Sequence, residues 1–248
     1  MLKLSWLMKH LMVYWKNNLI IKKNNIFKIN NISNENFLRF KFKMNNNLNN
    51  ETKDMLVGCI LGDAHIGKVG NNKAFITFEQ TIKHKEYVFD IYNKLSKSNI
   101  KLNDIKYYSR KDSRYNSLNS SIYFKTHNSE LLYPFVNMFL SETNVKILPL
   151  DIEMYLNPIT LAYWICDDGQ QVKRGGVTLC TDNYTLAEVE VLIKALSNRY
   201  NLKCSIHKKK GKSERIYNRI YIKKDSLDIL KPLIIPYIHT SFLYKINS

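Results

Sequence analysis

The sequence contains one stretch whose residue types could do chemistry, LAYWICDDG at residues 161–169. It is an apolar run, typical of a buried helix, that ends with the adjacent acids Asp167 and Asp168. Acidic side chains are disfavoured at a helix C-terminus, by roughly 0.3–1 kcal/mol, because the helix dipole is negative there. The stretch therefore predicts either an ordinary helix end with a glycine cap or a site where a cation offsets the negative charge.

A second copy of this stretch lies upstream, LVGCILGDA at residues 56–64. Both copies begin with leucine and have isoleucine at the fifth position and aspartate at the eighth, which makes Asp63 and Asp168 equivalent. Each copy is followed by a strand pattern, an amphipathic helix, a polar hairpin and a short apolar helix that contains proline. Each then ends with a lysine before isoleucine, Lys146 and Lys245. The predicted organisation is an N-terminal extension at residues 1–50, a first repeat at 51–150 and a second repeat at 151–248.

The repeated order predicts an α+β protein of two pseudo-symmetric αββαββα units, each with one antiparallel sheet. Two such units are expected to pack about a pseudo-two-fold axis, with their apolar helices at the interface. Gly58 and Gly62 lie four residues apart on the first helix, as do Ala162 and Cys166 on the second. Because small residues permit close approach, the two equivalent acids should converge at the helix ends. A divalent cation, bound by carboxylate and backbone carbonyl oxygens, would relieve their repulsion.

Composition restricts the class of partner. The formal charge is +17, from 38 lysines and arginines against 21 acids, which favours a polyanionic partner. The four cysteines form no CxxC pair, so a zinc site is not expected. Residues 1–50 contain no run of about 18 apolar residues, so we expect no membrane-spanning helix. We interpret this extension as a translated leader or a targeting segment.

The two motifs and the order of elements resemble the LAGLIDADG homing endonucleases, in the monomeric two-repeat form encoded by organellar introns. The resemblance covers roughly residues 52–248 and implies two antiparallel sheets that form a saddle over double-stranded DNA. It implies hydrolysis of both strands of a long asymmetric target with Mg²⁺. Mn²⁺ is expected to substitute, and Ca²⁺ to bind without supporting cutting. It also implies a mitochondrial or other organellar location.

The resemblance assigns a metal site to the ends of the two motif helices. It places Asp63 and Asp168 on the metal-binding acids, with Ala64 and Gly169 beside them as metal-site residues. Asp167 has no counterpart in the first motif, and we interpret it as a solvated helix-end residue rather than a ligand.

Further catalytic roles follow from the same resemblance. Lys146 and Lys245 fall on basic residues near the scissile phosphates, where they would organise water or stabilise developing charge. The family also places a water-positioning polar residue on a strand of each repeat. The candidates are Glu79 or Gln80 in the first repeat, and Cys180 or Asp182 in the second.

The polar hairpins supply the residues expected to contact DNA, because a two-stranded ribbon fits the major groove. Most of these contacts should be with phosphates rather than bases. The candidates are Tyr107, Arg110, Lys111, Arg114, Asn116, Lys125, Lys173, Arg174, His207, Lys209, Lys212, Arg215, Arg219 and Lys223.

Two other functions fit the same fold. One is an intron RNA maturase, which would bind RNA through the basic surface and could also cut DNA. The other is a non-catalytic DNA-binding regulator. The presence of both acids, Asp63 and Asp168, and both lysines, Lys146 and Lys245, favours an endonuclease over a protein that has lost cutting.

Overall fold

The computed structural model describes residues 48–112, 117–211 and 214–247. The candidates Arg114, Asn116 and Lys212 lie outside the described residues, as does the extension up to residue 47. Within the described residues, no helix has the length and apolar content needed to cross a membrane.

The described residues form an αββαββα order twice, which confirms the predicted α+β class. The elements of the first half are α1 (Asn50–Leu61), β1 (His65–Val69), β2 (Lys73–Thr81), α2 (Lys85–Ser96), β3 (Lys106–Asp112), β4 (Ser117–Lys125) and α3 (Tyr133–Phe139). Those of the second half are α4 (Pro158–Asp168), β5 (Gly169–Gln171), β6 (Val177–Leu179), α5 (Leu186–Tyr200), β7 (Cys204–Lys210), β8 (Ile216–Ile222) and α6 (Leu227–Ile234). The repeat boundaries at residues 51 and 151 stay predictions.

The two motif helices, α1 and α4, begin in the same way. The Asn49 side chain accepts a hydrogen bond from the Thr52 backbone N–H at 2.7 Å, and the Asn157 side chain accepts one from the Thr160 N–H at 3.0 Å. These caps satisfy N–H groups that have no partner within the helix. Both helices are buried over most of their length, which explains why their sequences are apolar on every side.

Helices α1 and α4 pack directly against each other, and glycines permit the close approach. A Cβ atom at Gly58 would lie 2.5 Å from the Thr160 carbonyl oxygen and 2.7 Å from the Tyr163 Cβ. A Cβ at Gly62 would lie 2.5 Å from the Asp167 Cβ. The predicted packing role of both glycines is confirmed. Their nearest neighbours on α4 are Thr160, Tyr163 and Asp167.

Replacing Gly58 by alanine is expected to lower the free energy of unfolding by about 2–3 kcal/mol, because the neighbouring backbone cannot yield without moving α4. In an ordinary helix the same change raises stability by about 1 kcal/mol, so a loss of stability would indicate that Gly58 is needed for helix packing. Urea unfolding measures it, with the exposed Lys194→Ala variant on α5 as a control expected within about 0.5 kcal/mol of wild type. A Gly58→Ala protein as stable as wild type would contradict the packing.

Each half contributes one four-stranded antiparallel sheet, with strand orders β1-β2-β4-β3 and β5-β6-β8-β7. In each sheet one face carries the buried side chains, such as Ile76 and Ile122 in the first and Leu179 and Ile220 in the second. Helix α2 packs on the first sheet and α5 on the second. Residues of the opposite parity point to the other face, which we call the open face because its side chains are exposed or half-buried.

Candidate active site

Asp63 lies immediately beyond the end of α1, and residues from both halves of the chain hold it. Its carboxylate accepts a hydrogen bond from Gln80 Nε2 at 2.8 Å. Its backbone N–H donates to Asp167 Oδ2 at 3.3 Å, and Gln80 Nε2 also donates to Asp167 Oδ1 at 3.4 Å. Gln80, which lies near the C-terminus of β2, therefore links Asp63 to Asp167 by hydrogen bonds. Of the two predicted water-positioning candidates in this half, Gln80 contacts Asp63, whereas Glu79 is exposed on the open face opposite Tyr123.

Asp168 ends α4 and is held by its own helix. The indole N–H of Trp164 donates to Asp168 Oδ2 at 3.2 Å. Burial and, to a smaller extent, the nearby charge of Asp63 together raise the pKa of Asp168 to about 7, while the charge of Lys146 acts in the opposite direction. The two acids lie near each other, because Asp167, which directly precedes Asp168, accepts a hydrogen bond from the Asp63 backbone N–H.

Asp167 is the main correction to the sequence-based interpretation. It is a half-buried residue of the helix interface rather than a solvated helix end. Burial raises its pKa well above the usual value, and the charges of Asp63 and Asp168 raise it further. The side chain fits because the facing position on α1 is Gly62. The site therefore contains three neighbouring carboxyl groups.

The two predicted lysines contact the C-terminal carbonyls of the motif helices. Lys146 Nζ donates to the carbonyl oxygens of Gly62 at 3.0 Å and Leu61 at 3.4 Å. Lys245 Nζ donates to the carbonyls of Ile165 at 3.2 Å, Cys166, and Asp167 at 3.3 Å. A cation at a helix C-terminus is favourable, and neither helix has a basic residue in its own last turn. The two lysines, which lie far from these helices in the sequence, thus cap the helix C-termini.

Burial lowers the pKa of both lysines, and the neighbouring acids oppose that shift. Lys245 is only 6% exposed, so its charge acts in a poorly solvated region. Sequence reasoning missed Tyr184, whose hydroxyl donates to the Leu61 carbonyl at 3.1 Å and so also caps α1. No motif marks this tyrosine.

The second-half candidates for a water-positioning residue lie in different surroundings. The Cys180 backbone N–H donates to the Asp168 carbonyl at 3.0 Å. The Asp182 carboxylate forms a bidentate ion pair with Arg219, at 2.7 Å from Nε and 2.6 Å from Nη2. Arg219 Nη1 also donates to Gln170 at 3.2 Å. Asp182 is therefore paired with a cation, unlike Gln80 in the first half.

The donor set fits a divalent cation of the Mg²⁺ type. Within the described residues, no three histidine, cysteine or acidic side chains are arranged to hold a metal by themselves. Mg²⁺ needs less than that, since it is commonly bound by one or two carboxylates together with waters and substrate phosphates. Asp63 and Asp168 supply such carboxylates. The charge of Asp63 disfavours ionisation of Asp168, and a bound cation would offset this repulsion. Ala64 and Gly169, which follow these acids, are both buried.

The raised pKa of Asp168 predicts a pH-dependent stability without metal. A raised folded-state pKa stabilises the fold below the unfolded-state value of 3.8, and this contribution is lost as the pH rises through about 7. The unfolding free energy of wild type, relative to Asp168→Asn, should therefore fall by up to about 4 kcal/mol between about pH 4 and pH 8. Urea unfolding in chelator, at a series of pH values, measures this difference. A difference that does not change with pH would show that Asp168 is not buried near Asp63.

Strand register sorts the candidate DNA contacts by face. Arg110 and Lys125 of the first sheet lie on the open face, as do His207, Lys209 and Arg219 of the second. Lys173 and Arg174 lie between β5 and β6, Arg215 precedes β8, and Lys223 follows it; all four are exposed.

Two candidates in β3 need a correction. Tyr107 pairs with the buried Ile122, and Lys111 has the same parity, so both point away from the open face. Lys106 and Tyr108, which sequence reasoning passed over, point toward it. The sequence did not reveal which residues of β3 face this side, because a shift of one residue in strand register moves every side chain to the other face.

Comparison with known proteins gives the family. Residues 53–230 match the model of the LAGLIDADG DNA endonuclease family. The chain belongs to this family. The fold class and the family predicted from the two motifs are therefore confirmed, since the match includes both motif helices and both sheets.

Individual relatives extend over most of the chain. The cytochrome b mRNA maturase bI2 of Debaryomyces hansenii is 32% identical over 206 residues, which cover 82% of this chain and 76% of the relative. The probable intron-encoded endonuclease 1 of Wickerhamomyces canadensis is 30% identical over 203 residues, which cover 78% and 83%. The solved structure of the homing endonuclease I-WcaI bound to its DNA recognition sequence is similar with a TM-score of 0.69. It is 26% identical, and the match covers 82% of this chain and 89% of that one.

Proposed function

We propose that this LAGLIDADG protein is a site-specific homing endonuclease that hydrolyses both strands of a long DNA target with divalent metal, Mg²⁺ above all. The observation that carries the proposal is that Asp63 and Asp168 lie at the ends of two helices packed against each other, in a fold whose two sheets have basic open faces. Phosphodiester hydrolysis needs charge stabilisation at the phosphate, and this arrangement concentrates acids for a metal where a phosphate backbone would cross.

The open faces supply the DNA-binding surface. Antiparallel ribbons fit the major groove, and their lysines and arginines reach phosphates and base edges. The chain's charge of +17 makes binding strongly dependent on salt concentration. The side chains we place in this role are Lys106, Tyr108, Arg110, Lys125, Lys173, Arg174, His207, Lys209, Arg215 and Lys223.

Each residue of the site has a distinct task in the proposed reaction. Asp63 and Asp168 would hold the divalent metal, with carbonyls near Ala64 and Gly169 as further ligands; when bound, the metal offsets charge on the attacking and leaving oxygens. Gln80 uses its amide N–H on the acids, so its carbonyl oxygen can accept a hydrogen bond from a water and orient it. Lys146 and Lys245 contribute positive charge in a poorly solvated region, where it favours a developing negative charge.

A second function, assistance of intron RNA splicing, is favoured by one observation. The relative in Debaryomyces hansenii is named a cytochrome b mRNA maturase. The basic open faces could bind an RNA backbone as well as a DNA backbone, since both are polyanions. We propose this as an additional activity. A purely non-catalytic regulator has less support, because both acids and both lysines are in place.

The proposed setting is a monomer in an organelle, specifically the mitochondrion. Two halves of one chain already supply both acids, so no second copy is needed to complete the site. The names of the relatives, which refer to introns and to cytochrome b mRNA, support an organellar location.

A cleavage selection tests the proposal. Purified protein with Mg²⁺ is given a pool of randomised and AT-rich duplexes, and the cut ends are sequenced. We expect one long asymmetric site, cut with a stagger on both strands. Absence of cutting together with tight binding to a structured intron RNA would replace the endonuclease by the maturase.

A further inference from the structure

The two equivalent acids are held in different ways. Asp63 is held across the helix interface, because its backbone N–H donates to Asp167 and its carboxylate accepts from Gln80. Asp168 is held within α4, by the indole N–H of Trp164 one turn earlier. The pseudo-symmetry of the fold is therefore broken at the two equivalent acids.

Asp167 is the residue that breaks the symmetry. It occupies the seventh position of the second motif, where the first motif has Gly62. A Cβ atom on Gly62 would lie 2.5 Å from the Asp167 Cβ and 2.7 Å from its Oδ2. Only glycine on α1 therefore leaves room for this carboxylate.

The contacts of Asp167 form a closed triangle. One carboxylate oxygen accepts the Asp63 backbone N–H at 3.3 Å, and the other accepts Gln80 Nε2 at 3.4 Å. The third side is the 2.8 Å hydrogen bond from Gln80 Nε2 to Asp63. Asp167 belongs to α4, Asp63 is the second residue after α1, and Gln80 belongs to β2. Asp167 thus restrains both the backbone of one acid and the side chain of its polar neighbour.

We propose that Asp167 is a positioning residue that serves the Asp63 side of the site alone, so that one DNA strand depends on it and the other does not. The inference rests on the proposed endonuclease function. Asp167 acts through Asp63 and Gln80, without itself contacting the reacting atoms. Displacements of about 1 Å of a reacting group can reduce a rate by about 100-fold, so loss of this restraint should be visible in the rate of one strand.

The corresponding restraint on the other side is Trp164. Its indole N–H donates to the Asp168 carboxylate from one turn earlier in the same helix. Replacing Trp164 by phenylalanine removes this donor and keeps an aromatic ring. The Trp164→Phe variant is therefore the matched comparison, expected to impair the strand opposite to the one that depends on Asp167.

A strand-resolved cleavage assay tests the proposal. A supercoiled plasmid carries one target site, and each strand is labelled separately. The isosteric Asp167→Asn variant should slow one strand by about 10- to 100-fold relative to the other, so that nicked circles accumulate with every nick in the same strand. Trp164→Phe should give nicks in the opposite strand. Equal slowing of both strands by Asp167→Asn, or no change in either, would overturn the proposal.

A readout without DNA separates positioning from general damage. In NMR spectra of the metal-free protein, Asp167→Asn should shift the side-chain amide signals of Gln80 and leave the indole signal of Trp164 in place. Unmoved Gln80 signals would also overturn the proposal. If Asp167→Asn does not fold, Asp167→Ser takes its place, since serine also fits against Gly62. If wild type cuts no duplex, the endonuclease function itself fails and this inference with it, whereas strand-equal effects in an active enzyme refute this inference alone.

Discussion

The Asp63→Asn/Asp168→Asn double variant is expected to cut its target at least about 1,000-fold more slowly than wild type at saturating Mg²⁺. Asparagine keeps the size and hydrogen-bonding reach of each side chain but removes the two carboxylates proposed to bind the metal, so the affinity of the site for a divalent cation should fall sharply. The geometry of the helix ends should persist, because the lysines and Tyr184 that cap them contact backbone carbonyls. Cleavage of labelled duplex under single-turnover conditions measures the loss.

Binding of DNA should survive this change. In the proposed complex the acids would lie beside the phosphate backbone, so their removal lowers repulsion, and we expect affinity in chelator to be unchanged or somewhat tighter. The exposed Asp228→Asn variant on α6 is the control for loss of an acid elsewhere. Cutting by the double variant within about tenfold of wild type, a difference of only about 1.4 kcal/mol in activation energy, would exclude these acids as the metal site.

The Lys146→Met and Lys245→Met variants are expected to reduce cutting by about 100-fold each, because each removes a preorganised charge from a poorly solvated site. Methionine retains the length of the side chain but cannot donate to the helix carbonyls. Loss of those hydrogen bonds should also lower the free energy of unfolding, by about 1–3 kcal/mol. Single-turnover cleavage and thermal unfolding, measured on the same preparations, separate the two effects.

The two lysines should differ in how much each contributes to the stability of the protein. Lys245 is buried and contacts three carbonyls of α4, whereas Lys146 is half-buried and contacts two of α1, where Tyr184 also donates. We therefore expect Lys245→Met to destabilise the protein more than Lys146→Met. The exposed Lys194→Met variant on α5 controls for loss of one positive charge. Wild-type cutting and unchanged stability in Lys245→Met would show that the lysine supports neither the helix end nor the reaction.

Much of the site could be predicted from the sequence because its parts recur. Asp63 and Asp168 are recognisable as equivalent positions of two motifs, and Gly58 and Gly62 are too unfavourable in an ordinary helix to lack a packing role. The order of elements follows from local hydrophobic patterns, which a single sequence displays directly. The lysines could be placed at the end of each repeat for the same reason.

The remaining parts depend on contacts between distant segments. Asp167 could not be distinguished from a solvated helix end, because its environment is set by how α1 crosses α4. The choice between Tyr107 and Tyr108 depends on strand register, which the sequence of β3 leaves undetermined because polar residues occupy both of its faces. The pairing of Arg219 with Asp182 joins β8 to the segment after β6, and no spacing in the sequence indicates it.

Anomalous diffraction from Mn²⁺ in crystals of the protein with its DNA target is the measurement that tests the central claim most directly. We expect manganese within about 2.5 Å of carboxylate oxygens of Asp63 and Asp168, close to the phosphates that are cut. Manganese held elsewhere on the protein, such as at Glu79 or Asp182, with none at the helix ends, would contradict it.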